Sequence, residues 1–347
     1  MSTSLRVALI GYGLAGRVFH APLVRAEPRM RLRTIVTSDP ERAARARADN
    51  PDAFVVPSAE DVWDHATDYD LVVVASANVA HREQAEAALR HGLHVVVDKP
   101  LAPDAATARL LMDLAESQDR QLHVFQNRRW DSDYRTVRAL LEDGRLGHVH
   151  RMESRFERWR PRPESGWRES ADPEQAGGLL LDLGSHLADQ ALQLLGPVSS
   201  VYAELGRLRD PDGAEDDVFV ALHHHSGAIS HLWAGAVAAQ QGPRFRVLGS
   251  QGAFVVHGLD GQEDALRRGA TPGPGWGAEP PERWGRLYPD DEVVPSLPGA
   301  WPEYYARVAA CLHGEAPPPV EPAGVVDALR VLDAARASAA TGSVVSP

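Results

Sequence analysis

Six short strand-like runs, most of them apolar, separated by helical stretches, fill the first 125 residues, and this alternation restricts the fold more than any other feature. The runs cover residues 5–10, 32–37, 54–56, 71–75, 93–97 and 121–125. Residues 14–25, 79–91 and 103–118 read as helices, and a further helix opens at Asp39-Pro40-Glu41, a cap followed by a first-turn proline. A strand that is apolar along its whole length needs cover on both faces. Helices between successive strands supply that cover, so the pattern predicts a parallel, doubly wound α/β sheet.

The rhythm changes after Asn127. Residues 132–142 and 181–194 read as helices, and residues 148–158 as a strand. Residues 160–175 form a polar loop. Runs at 198–208, 217–224, 228–236 and 245–257 alternate as in an antiparallel sheet with one open face. Residues 269–298 are dense in Gly and Pro and read as a long loop. Two helices, 301–312 and 322–340, follow. At roughly 150 residues per domain, 347 residues fit two, which we place at 1–126 and 127–347.

The first apolar run ends in Gly11-Tyr12-Gly13-Leu14-Ala15-Gly16, between a strand and a helix. In that context the first glycine makes the turn, the second lets a pyrophosphate approach the backbone, and the third lets helix and strand pack closely. The helix N-terminus then offers amides to the phosphates. An acid at the end of the second strand would hold a ribose 2′-hydroxyl and repel a 2′-phosphate. Thr37 and Ser38 stand there, with Arg42 one helical turn on. Hydroxyls and a guanidinium fit a 2′-phosphate, so NADP(H) is favoured over NAD(H). Ser76, Asn78, His81 and Asn127, at later strand ends and helix starts, complete the candidate cofactor set together with Lys99.

Lys99 is the only lysine among 36 basic residues; every other one is arginine. It stands in Asp98-Lys99-Pro100 after the fifth strand, where ligands meet such sheets. A compact ammonium of tunable pKa does what a guanidinium does not. Farther on, Asp182 and His186 lie four residues apart, so on a helix they share a face, and the carboxylate is placed to orient the imidazole. A histidine so held is the usual proton acceptor in alcohol oxidation. Lys99, Asp182 and His186 are the candidate catalytic residues; with Arg128, Trp167 and Arg168 they form the candidate substrate set.

These motifs together resemble the Gfo/Idh/MocA oxidoreductase family. They are G-x-G-x-x-G, Asp98-Lys99-Pro100, Asn78 and His81 before Lys-Pro, and the run from Gly177-Gly178 through Asp182 to His186. Residues 127–133 and Trp167-Arg168 are similar to the NADP-dependent scyllo-inositol dehydrogenase branch. Asp98 stands where glutamate is commoner, and Leu183-Gly184-Ser185 departs from the branch's usual Leu-Ala-Pro. The resemblance implies an N-terminal Rossmann domain and a C-terminal α/β domain with a large open sheet. It also implies hydride transfer between NAD(P) and a secondary alcohol of a cyclitol or sugar. Redox-neutral NAD-dependent glycosidases and NADP-binding sensors share the fold; retention of Lys99, Asp182 and His186 argues against a sensor, and net cofactor turnover separates a dehydrogenase from a glycosidase.

Other readings concern partners. A net charge of −12 argues against general nucleic-acid or membrane-surface binding. The N-terminal apolar run is too short for a membrane span or secretory signal, so a cytoplasmic protein is expected. The lone Cys311 excludes an intrachain disulfide and a cysteine-based zinc site. His223-His224-His225 alternate faces on a strand, so no metal site is expected. Trp159, Trp167, Trp276, Trp284 and Trp301 read as packing anchors or as stacking faces for a sugar. Arg155, Arg158, Arg160 and Arg162 read as a solvated strand face or as a site for an anion. An open apolar sheet face predicts a homo-oligomer, a dimer first of all.

Overall fold

A computed structural model describes residues 4–164 and 166–347. Its first sheet is parallel, in the order β3-β2-β1-β4-β5-β6. The strands are β1 (Leu5–Ile10), β2 (Met30–Val36), β3 (Phe54–Val56), β4 (Leu71–Val74), β5 (His94–Asp98) and β6 (Leu122–Phe125). All four residues of β4 are fully buried, as an apolar run sandwiched between helices must be. The helices are α1 (Ala21–Ala26), α2 (Pro40–Asp49), α3 (Glu60–Trp63), α4 (Asn78–Arg90) and α5 (Ala105–Ser117). Asp39 caps α2 and Asp104 caps α5, each accepting a hydrogen bond from a first-turn amide. The order reverses between β1 and β4, which opens a crevice at the carboxyl ends of the strands.

The second sheet runs β14-β13-β12-β11-β7-β10-β9-β8. Its strands are β7 (Val149–Glu157), β8 (Val198–Gly206), β9 (Asp217–His224), β10 (Ile229–Gly235), β11 (Phe245–Gly249), β12 (Ala253–Val256), β13 (Gly285–Tyr288) and β14 (Glu292–Val294). Only the β7–β10 pair is parallel. The helices are α6 (Ser132–Glu142), α7 (Ser185–Leu195), α8 (Gln262–Arg267), α9 (Pro302–Leu312) and α10 (Pro322–Thr341). Helices α7 and α10 pack on one face of this sheet, and α10 also contacts α5 beside the first sheet. Burial alternates along β9, with Val218, Val220 and Leu222 inward and Phe219 and Ala221 on the open face.

The structure corrects two expectations. The Gly- and Pro-rich stretch 269–298 is not all loop, because β13 and β14 extend the sheet edge. Buried Leu287 and Val294 anchor these three- and four-residue strands, and their flanking turn residues hid them in the sequence. Two helices expected to bear site residues begin with π winding, at Ala15–His20 and at Leu180–Gly184. Of the two readings of the tryptophans, packing holds for three: Trp301 is fully buried and donates to Asp131, Trp276 donates to Gln262, and Trp284 donates to the Glu279 carbonyl, whereas Trp159 is exposed. His224 bonds the Gly196 carbonyl and Ser230.

Candidate active site

A cavity of about 820 Å³ follows the carboxyl ends of the first sheet's strands and is closed on its far side by β7, α7 and their loops. At one end lies the glycine turn. Gly11 has φ +96°, and a Cβ there would come 2.6 Å from the Ala75 carbonyl oxygen. A Cβ on Gly16 would strike the Gly11 carbonyl, so this glycine lets helix and strand close up. Gly13 is different. A Cβ there would meet only the Arg42 guanidinium, at 3.8 Å, so packing gives no reason for a glycine. The open space over Gly13 is what a pyrophosphate requires, and the residues present fit a dinucleotide. Tyr12, Leu14, Ala15, Thr37, Ser38, Arg42, Ser76, Asn78 and Asn127 all line the same cavity. Asp39 holds the Arg42 amide, which fixes the start of α2 beside the strand end. Asn78 donates to the Ala176 carbonyl and so ties α4 to the loop before α7.

Lys99 stands at the other end, where β5 finishes. Its Nζ donates to the Asp182 carboxylate at 2.8 Å and to the Asp182 carbonyl at 2.6 Å. Burial alone would raise the Asp182 carboxyl, but Lys99 and Arg168 hold it down at about 2. His186 lies in the same lining, buried, with its ring 6.2 Å from that of Phe156. Its Nδ1 is buried without a hydrogen-bond partner. Burial, then the positive charges of Lys99, Arg128 and Arg244, push its pKa well below the usual histidine value. The ring is therefore neutral near pH 7 and free to accept a proton.

Arg128 is held by Asp131 at 3.2 Å and Glu263 at 3.0 Å, with its guanidinium over the Phe156 and Trp301 rings. Arg168 stacks on Trp167 at 4.3 Å and reaches to 3.9 Å from Asp182. Both line the cavity with Trp167. Asp98 lines it too. Burial would raise its carboxyl, but the neighbouring His20, with Lys99 and His81, leaves it lowered.

Two site expectations are corrected. Asp182 does not orient His186: no hydrogen bond joins them among the described residues, because the carboxylate is taken by the ammonium of Lys99. His81 does not line the cavity. Its buried ring lies 2.9 Å from the Pro100 carbonyl and 3.3 Å from that of Ser76, bracing the strand-end loops from behind. The sequence reading also left Arg158 undecided. Residues 152, 154 and 156 face inward on β7, and period two carries Arg158 to the same side, into the cavity. Arg155 points to the open face, bonding Glu153 and stacking over Trp233.

Comparison with known proteins places this geometry. Residues 5–126 match the model of the oxidoreductase family with an NAD-binding Rossmann fold, and residues 134–255 match the GFO/IDH/MocA C-terminal domain. The oxidoreductase YdgJ of Escherichia coli is 37% identical over 345 residues, with 96% of each chain covered. The chain belongs to the Gfo/Idh/MocA oxidoreductase family. It is thus an enzyme, an NAD(P)-dependent oxidoreductase. Another family relative, the scyllo-inositol 2-dehydrogenase (NADP(+)) IolW of Bacillus subtilis, is 33% identical, with 96% of this chain and 94% of that one covered. The solved structure of the oxidoreductase YvaA from Bacillus subtilis superposes with a TM-score of 0.94, at 32% identity, over 100% and 99% of the two chains.

Proposed function

We propose that this chain is an NADP(H)-dependent dehydrogenase that interconverts a secondary alcohol and a ketone on a cyclitol or sugar. Lys99, Asp182 and His186 converge in a cavity whose other end is the glycine turn, and this carries the reading. Gly11 to Gly16 would receive the pyrophosphate, and Thr37, Ser38 and Arg42 the 2′-phosphate. Ser76, Asn78 and Asn127 would line the path to the nicotinamide. The 33% identity to an NADP(+)-dependent scyllo-inositol dehydrogenase supports both cofactor and substrate class.

When bound, the nicotinamide takes up or gives back the hydride. The protein does the rest. His186 accepts the hydroxyl proton as the carbinol C–H bond breaks and the C=O bond forms, and returns it in the reverse direction. Lys99 donates a hydrogen bond to the same oxygen and stabilises its developing charge. Asp182, paired with Lys99, holds that ammonium in place at the cavity wall. Arg128, Trp167 and Arg168 surround the substrate.

Residues 1–126 would then bind cofactor, and residues 127–347 substrate and a second subunit. No helix of the described residues is long and apolar enough to cross a membrane, which is consistent with the cytoplasmic location we propose. A screen of inositols, aldoses and keto-inositols with both cofactors tests the reading through nicotinamide absorbance. Turnover with NADP on a polyol supports it; turnover with NAD alone overturns the cofactor assignment, and an absence of net cofactor turnover overturns the dehydrogenase.

A further inference from the structure

The cations lining the cavity are matched by acids with two exceptions. Lys99 is paired with Asp182, Arg128 with Asp131 and Glu263, and Arg267 with Glu263. Arg209, in an adjoining chamber of about 300 Å³, is paired with Glu169 and Asp216. Arg160 lies 3.8 Å from Glu164, and Arg168 lies 3.9 Å from Asp182. Among the described residues, only Arg42 and Arg158 of this lining have no carboxylate within 4.0 Å. They serve different ends. Arg42 is exposed beside Gly13, at the cofactor turn. Arg158 is half-buried; like Arg42 it lines both the main cavity and the side chamber, but it is the less exposed of the two and lies on the β7 side.

The fold holds Arg158 there. Its amide donates to the Gly235 carbonyl and its carbonyl accepts from Ala238, so the backbone is pinned beside β10. Its side chain continues the inward row of Met152, Ser154 and Phe156, yet makes no hydrogen bond of its own among the described residues. Burial, then Arg160 and Arg128, lowers its pKa against the pull of Glu263 and Asp182, two acids already engaged by Arg128 and Lys99. A guanidinium desolvated in this way, with no acid of its own, is a receptor for an anion, and its planar fork suits a carboxylate or phosphate.

We infer that Arg158 selects a substrate that carries an anionic group on the same molecule as the reacting carbinol, a sugar acid or a polyol phosphate. This rests on the dehydrogenase reading for the position of the reacting end at Lys99 and His186. The side chamber between Arg158, Trp167 and Arg168 receives the anion.

The test compares neutral and anionic partners of one skeleton on the full-length enzyme with NADP: glucitol with gluconate, glucose with glucuronate, and inositol with an inositol monophosphate. The anionic partner is expected to show the lower KM by about 10- to 100-fold, the usual range for a hydrogen bond to a charged group. The carboxylate and phosphate arms say which anion is taken. Arg158→Gln should collapse that ratio, and Arg158→Lys should restore part of it. NADPH affinity, read from quenching of tryptophan fluorescence, serves as the control for folding and for the cofactor site. Equal KM values for neutral and anionic partners, or a ratio unchanged in Arg158→Gln, would overturn the inference. So would an Arg158→Gln effect confined to NADPH affinity, which would assign the residue to the cofactor. Binding of the same pairs to the NADP complex by calorimetry separates the two readings. Anions that bind wild type and not Arg158→Gln, without turnover, would leave the inference standing and the dehydrogenase fallen.

Discussion

His186 and Lys99 divide one task between two kinds of nitrogen. The imidazole is kept neutral by burial and by surrounding cations, whereas Lys99 is locked to a carboxylate that stays ionised down to about pH 2. A base whose pKa is depressed is already deprotonated below the usual histidine value. The acid limb of kcat/KM for alcohol oxidation should therefore fall below pH 6.5, and a limb above that value would show a base other than this one. The same depression has a consequence for stability. His81, His186 and His123, the last at about 4, bind protons less readily folded than unfolded. The unfolded chain takes up protons first as pH drops, so stability is full above about 6.5 and is lost below it. Thermal melts should show a flat Tm above neutrality and a decline on the acid side. Thr37 offers a different test. Thr37→Asp sets an anion where a 2′-phosphate would lie, and should reverse the NADP-over-NAD preference in kcat/KM.

At the scale of elements, the glycine turn separates packing from binding. Gly16→Ala forces a methyl group into the Gly11 carbonyl, a backbone clash of the kind that costs about 1–3 kcal/mol or more. Gly13→Ala meets only the tip of Arg42. Gly16→Ala should lower the Tm by several degrees; Gly13→Ala should leave the Tm alone and weaken NADPH binding. Equal melting losses in both would mean that Gly13 is there for packing. The central strands of the first sheet, β1, β4 and β5, were legible because they are almost continuously apolar and buried, and the strands of the second sheet because burial alternates. The sequence hid β13 and β14, where two buried side chains, Leu287 and Val294, suffice to anchor strands among glycines and prolines. It also hid the π turns, which leave no mark in hydrophobic spacing. The Lys99–Asp182 pair was out of reach for a similar reason: the residues are 83 apart in sequence, and only the meeting of the β5 end with the π turn before α7 brings them to 2.8 Å. Their residue types were readable, as the lone lysine was, but their partnership was not. Arg158 was readable in retrospect, by extending the period of β7 two residues past Phe156.

The whole molecule keeps one face of its larger sheet clear of α7 and α10. Phe219, His231 and Trp233 cluster there with ring centroids 5.2 to 5.9 Å apart, and Arg155 lies over Trp233 at 3.9 Å. An aromatic cluster of this kind on an open face suits an interface, and we propose a homodimer built on it. Light scattering at micromolar concentration should report twice the 37.7 kDa chain mass, and Trp233→Glu should shift it to monomer. A wild-type monomer would contradict the proposal. At this scale too, the cavity joins a cofactor end supplied by the first sheet to a proton-transferring end shared by Lys99 and α7. That union is tested by NADPH formation from a polyol under saturating NADP, in wild type and in His186→Ala. Wild type should form NADPH and ketone in equal amounts, and the variant should be about 100- to 10,000-fold slower with NADPH affinity unchanged. No net NADPH from any polyol, or a variant as fast as wild type, would contradict it.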